Sequence, residues 1–133
     1  MACRLHLSFD MSNEIAEQLK ERMMRFSLRV LRLCRTFPQD WEGRFLADQL
    51  FRASARTGAN YRAACRGRSR RDFISKLGMA LEEADESLFW LLFVGRSGVN
   101  EMTEQKELLQ ESRELLAILM QSTRTASDNF NQQ

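Results

Sequence analysis

The sequence predicts an all-α protein, an up-down-up-down antiparallel four-helix bundle. Four segments carry apolar residues at steps of three and four, the spacing that lines one face of a helix. Breakers are scarce, with one proline and six glycines in 133 residues. No segment alternates apolar and polar residues long enough to build a sheet. Leu5, Leu7 and Phe9 alternate briefly and read as an extended arm over residues 1–11, packing on the bundle or on a neighbour.

Helix one is predicted over Asn13 to Thr36, with Ile15, Leu19, Met23, Phe26, Val30, Leu33 and Phe37 on its inner face. Ser12 or Asn13 can cap its start, Glu14 and Glu17 suit its first turns, and Phe37-Pro38 ends it. Helix two is predicted over Arg44 to Cys65, with Leu46, Leu50, Ala53, Thr57, Asn60 and Ala64 inward. Its second half is built of small residues, which let a neighbouring helix come close. Gly58 costs such a helix about 1 kcal/mol relative to alanine, so a packing reason is expected for it.

Gly67 breaks the pattern as a C′ residue, and Ser69 with Asp72 resembles a capping box. Helix three is predicted over Arg70 to Gly95, with Phe73, Leu77, Ala80, Leu81, Ala84, Leu88, Leu91 and Leu92 inward. After a loop through Gly98, Asn100 can cap helix four, whose apolar face is Leu108, Leu109, Leu115, Leu116, Leu119 and Met120. Residues 127–133 are expected to fray. Short connections favour antiparallel neighbours, and one bundle spanning 1–133 buries all four stripes.

The longest apolar run, Leu88 to Gly95, is far short of the roughly 20 residues that span a bilayer. The first ten residues lack the apolar core of a secretory signal. Cys3, Cys34 and Cys65 are scattered and odd in number, which argues for free thiols in a reducing compartment. A cytoplasmic protein without membrane attachment is expected.

No catalytic residue, metal or cofactor is expected. The single histidine, His6, lies outside the bundle, so neither a histidine-containing di-metal site nor a nucleophile-base pair can be assembled in it. Glu82, Glu83 and Glu86 on helix three, and Glu104, Glu107, Glu111 and Glu114 on helix four, read first as solvated or ion-paired faces.

Charge is divided unevenly. Residues 1–71 hold 15 Lys/Arg against 7 Asp/Glu, a net of +8; residues 72–133 hold 5 against 11, a net of −6. Arg22, Arg25, Arg29 and Arg32 recur along helix one, and Arg52, Arg56, Arg62 and Arg66 along helix two. Arg66, Arg68, Arg70 and Arg71 crowd the next loop. Arginine suits bidentate phosphate contact, and such rows can follow an RNA or DNA backbone. The competing reading pairs part of the row with the acidic stripe of helix four. Only Tyr61 is placed to stack on a base among these arginines, so backbone contact is favoured over single-strand reading. Phe9, Phe37, Trp41, Phe45, Phe51, Phe89, Trp90 and Phe93 exceed what the inner stripes hold, which points to self-association or to plugs at the bundle ends.

The run Thr57-Gly58-Ala59-Asn60-Tyr61-Arg62-Ala63-Ala64-Cys65-Arg66 continues through Ser69, Asp72-Phe73-Ile74-Ser75-Lys76-Leu77 and Glu82-Glu83-Ala84-Asp85-Glu86-Ser87 to Trp90-Leu91. It resembles the bacterial four-helix-bundle family encoded in intervening sequences of 23S rRNA genes, some of whose members are labelled S23 ribosomal protein. The likeness covers roughly residues 13 to 120. Its motif positions here are Gly58, Asn60, Arg62, Ala64, Arg66, Ser69, Phe73, Lys76, Glu82, Glu83, Glu86 and Trp90. Where many members read Asn-Ile-Ala-Glu-Gly, this chain reads Asn60-Tyr61-Arg62-Ala63-Ala64, without the carboxylate. The resemblance implies a ring-like homopentamer. It also implies kinship with the accessory variability determinant protein of diversity-generating retroelements, which binds nucleic acid and contacts a reverse transcriptase. Asn60 is expected to be buried and to need a partner such as Glu83 or Glu86.

Overall fold

A computed structural model describes residues 9–99 and 102–132, with side chains from residues 13 and 103 onward in the two segments. Four helices run α1 (Phe9–Cys34), α2 (Trp41–Cys65), α3 (Arg70–Ser97) and α4 (Met102–Asn131). Each helix packs on its chain neighbours, and α4 closes the ring on α1, while the backbones of diagonal pairs stay farther apart among the described residues. This is the expected up-down-up-down bundle. The least intimate of the four seams is the one between α1 and α4.

Caps fix the turns. The Asp40 carboxylate accepts from the Gly43 amide at 2.8 Å and starts α2. At Gly43 a side chain would run into the Pro38 carbonyl. Ser69 caps α3 by accepting from the Asp72 amide at 3.1 Å. Asp72 answers by accepting from the amide of Arg68, one residue before the cap, at 3.0 Å. That is the expected capping box with its reciprocal bond shifted by one residue. Gly98 closes α3 in the left-handed region, φ 73°, which a side chain would disfavour.

Helix ends differ from the sequence reading by a turn or less in most places. α1 starts at Phe9, inside the segment expected as an arm, so Ser12 and Asn13 lie within the helix rather than capping it. The rest of that arm, with His6 and Cys3, lies outside the described residues, as does the Asn100 cap. α3 continues through Gly95 to Ser97, and α4 continues to Asn131 through the segment expected to fray.

The core is layered by Met23, Val30, Leu50, Leu77, Leu91, Leu108, Leu115 and Leu119, all fully buried. Gly58 has the packing reason expected of it, since a Cβ there would sit 3.3 Å from the Met23 Cβ. The same seam carries a bond from the Ser27 hydroxyl to the Ser54 carbonyl at 2.9 Å. Three expectations for the inner stripes fail. Ile15 is 45% exposed and Ala16 is turned inward instead. Ile15 stands seven residues before Arg22, on the same flank of α1 rather than on its inner face. Met120 is exposed. Asn60 is only half-buried, because the larger Tyr61 takes the inward place; no bond joins Asn60 to Glu83 or Glu86 among the described residues.

Cys34 is a buried free thiol, as expected, whereas Cys65 is engaged and is not free. No helix of the described residues is long and apolar enough to cross a membrane.

Candidate nucleic-acid interface

The helix-one arginines do not form one surface. Seven residues bring a helix almost back to the same bearing, so Arg22 and Arg29 share the flank facing α4. There the Arg22 guanidinium forks onto Glu111, Nε donating to Oε2 at 2.9 Å and Nη2 to Oε1 at 2.7 Å. Nη2 also donates to Glu114 at 3.1 Å. The hydrogen bond to Glu111 is the main cause of a raised pKa for Arg22. Arg29 donates through Nε to Glu104 at 3.2 Å and through Nη2 to Glu107 at 3.1 Å. The acidic stripe of α4 therefore does meet half of the arginine row within one chain.

Arg25 and Arg32 face outward. Arg25 lies 3.8 Å from Glu21 on its own helix, a loose and exposed pair, and Arg32 has no carboxylate oxygen within 4.0 Å among the described residues.

On α2 the outward row is more open. Arg52 pairs with Asp48 one turn earlier at 3.0 Å. Arg56, Arg62 and Arg66 are exposed without an ion pair among the described residues, although Arg56 is near enough to act on Glu83, and Arg62 on Glu17. In and after the turn, Arg68 and Arg71 are exposed, while Arg70 is half-buried and engaged. From Arg52 to Arg66 the row extends about 21 Å at 1.5 Å per residue. Between Trp41 and Arg71 the chain holds eight arginines and two carboxylates.

Tyr61 cannot stack on a base as expected. Its ring is buried at 6% exposure, and burial, followed by the charge of Glu17, pushes its phenol up to about 12. A different aromatic group stands exposed at the far end of α2. Phe45 meets the half-buried Trp90 edge to face at 5.8 Å between ring centres, and Trp90 meets Phe89 at 4.9 Å and Phe93 at 5.5 Å. Phe45, Phe89 and Phe93 are about half exposed, and Trp41 is 75% exposed. The neighbouring groove, about 500 Å³, is lined by Glu42, Phe89, Leu92, Phe93, Arg96 and Ser97. The sequence signalled this group only as a surplus of rings.

The motif positions divide between packing and surface. Gly58, Ala64 and Phe73 build the interior and Ser69 caps α3. Lys76 pairs with Asp72 at 3.2 Å, and Trp90 donates its indole N–H to Glu86 at 3.4 Å. Glu82 is exposed and Glu83 half-buried; Glu83 is held above the usual carboxylate range by burial and then by the charge of Glu86. Among the described residues no group of three or more His, Cys, Asp or Glu side chains is placed to hold a metal ion.

Residues 16–121 match the model of the family described as 23S rRNA-intervening sequence protein. No curated protein matches the chain. Among solved structures, the fold is similar to the crystal structure of a protein with unknown function from the S23 ribosomal protein family of Bacteroides thetaiotaomicron. The TM-score is 0.75 and the identity 27%, over 82% of this chain and 97% of that one.

Proposed function

We propose a function from one premise: the chain belongs to the 23S rRNA-intervening sequence protein family. It is a non-enzymatic, cytoplasmic, homo-oligomeric bundle that binds the backbone of RNA or DNA through the outward arginines of α2 and the α2–α3 turn. One observation carries this reading. The guanidinium groups of Arg56, Arg62, Arg66, Arg68 and Arg71 stand exposed with no carboxylate oxygen within 4.0 Å among the described residues, on the most basic stretch of the chain. A guanidinium without a protein partner is hydrated and ready to exchange water for phosphate. Arg52 joins them readily, because an exposed pair one turn apart is weak.

Binding is tested by titrating salt against oligouridylate and a random-sequence DNA duplex. Counterion release predicts a steep loss of affinity with salt. Replacing Arg56, Arg62, Arg66, Arg68 and Arg71 by Glu should abolish binding while the circular dichroism of the helices is kept. Binding that survives those replacements, or none at low salt, ends this reading.

The exposed rings of Phe45, Phe89 and Phe93, gathered around the half-buried Trp90, favour a second reading, a scaffold that binds only protein. Self-association into a homopentamer would cover such a surface, and light scattering decides it. The kinship with the accessory variability determinant protein would make a reverse transcriptase the partner. A gene lying beside a reverse transcriptase gene, rather than inside an rRNA gene, would support that.

A further inference from the structure

Arg22 and Arg29 are held as phosphate-binding arginines are held, but by carboxylates. The Arg22 fork on Glu111 uses two parallel N–H donors, the geometry with which guanidinium grips a phosphate. The spacing is matched on both sides. Arg22 and Arg29 are seven residues apart, as are Glu104 and Glu111, and Glu107 and Glu114, so antiparallel helices bring each arginine two carboxylates. The seam thus holds four carboxylates for two guanidiniums. Glu107 and Glu114 remain 61% and 50% exposed, and their surplus charge repels an approaching polyanion. Beside this flank, Arg25 and Arg32 face outward on the same helix. Of the four neighbouring pairs, the α1 and α4 backbones approach least closely, and the arginine and glutamate side chains reach across that gap.

We propose that the glutamate row of α4 is an internal stand-in for phosphate, and that Arg22 and Arg29 are a second phosphate-binding row, latent while Glu104, Glu107, Glu111 and Glu114 occupy it. The ligand class is the backbone of RNA or DNA. The inference rests on the nucleic-acid reading for what the row binds, but it places the site on a different helix from the α2 arginines.

The test uses the full chain with all four glutamates changed to Gln, titrated with oligouridylate and with a DNA duplex over a range of salt. Thermal unfolding confirms that the variant is folded. The expected result is affinity about tenfold tighter than that of the unaltered chain. The salt slope should steepen by about 1.4 on the single strand and about 1.8 on the duplex, which is two added phosphate contacts. Adding Arg22→Gln and Arg29→Gln to that variant should return the salt slope, which counts phosphate contacts, to its starting value, while part of the affinity gain stays because the repelling carboxylates are gone.

Unchanged affinity and slope in the four-glutamine chain would overturn the proposal. So would a steepened slope that persists without the two arginines, since the added contacts would then lie elsewhere. If the unaltered chain fails to bind and the four-glutamine chain binds through Arg22 and Arg29, the latent row stands and the α2 reading falls. If the α2 arginines support binding but the four-glutamine chain gains nothing, the reverse holds. A variant that does not fold is replaced by the pair Glu104→Gln and Glu107→Gln, which frees Arg29 alone, with a slope change of about 0.7 on the single strand and about 0.9 on the duplex expected.

Discussion

The side-chain amide of Gln105 on α4 donates a 2.7 Å hydrogen bond to the main-chain carbonyl of Leu91 on α3, inside the core. Gly95, one turn beyond Leu91, makes room for it: a Cβ there would sit 2.5 Å from the Gln105 amide nitrogen. A buried amide that loses its partner costs about 1–3 kcal/mol.

Gly95→Ala is therefore expected to destabilise the protein, although alanine favours a helix over glycine by about 1 kcal/mol. Gly78, also within α3, serves as the contrast, because a methyl group added there would meet nothing within 4 Å. Gly78→Ala should stabilise by about 0.4–1 kcal/mol. Thermal unfolding of the two variants checks the pair. Equal gains in Tm would show that the Gln105 contact does not constrain Gly95.

Glu83→Gln is expected to raise Tm at neutral pH. Burial and the neighbouring Glu86 push the Glu83 carboxyl up, with Arg56 acting against them. The folded chain then holds this proton more tightly than the unfolded chain. The group's contribution to stability is greatest at acid pH and is lost as pH rises from the ordinary carboxylate value through its raised one. The gain from glutamine should shrink below that window, and a gain constant from pH 3 to pH 8 would show that charge is not its cause.

Cys34 should resist alkylation in the folded protein. Burial pushes its thiol up to about 12, so almost no thiolate exists near neutral pH. Peptide-mapped labelling with iodoacetamide at pH 8 should modify Cys34 only after denaturant is added. Rapid modification of the folded chain would mean that the α1–α2 seam around Cys34 opens freely.

Periodicity made the four helices legible because each has one strongly apolar face. It could not decide flanks. Ile15, Arg22 and Arg29 share one bearing on α1, and the three-and-four pattern assigns Ile15 to the core and the arginines to an outer stripe. Only the position of α4 shows that the two arginines lie on a seam bridged by charge, and Ile15 shares their flank. Asn60 and Tyr61 failed for a related reason, since adjacent residues near a stripe's edge compete for the inward place and side-chain size decides. The arginine row carried the same ambiguity. Its spacing fits a phosphate backbone and a glutamate stripe equally well, and spacing alone does not say which way either row faces.

Arg22→Gln with Arg29→Gln separates structural from binding arginines on α1. Arg22 and Glu111 are partly exposed, and Arg29 and its partners more so, which limits each arginine to about 1 kcal/mol of stability. The double variant should therefore unfold at a modestly lower temperature in dilute buffer. The difference should narrow at about 1 M salt, where charges beyond about 3 Å are screened. The salt slope of its binding to oligouridylate should match that of the unaltered chain, because in the closed bundle these two guanidiniums already hold carboxylates and make no phosphate contact. A shallower slope in this variant would move the binding surface from α2 to α1.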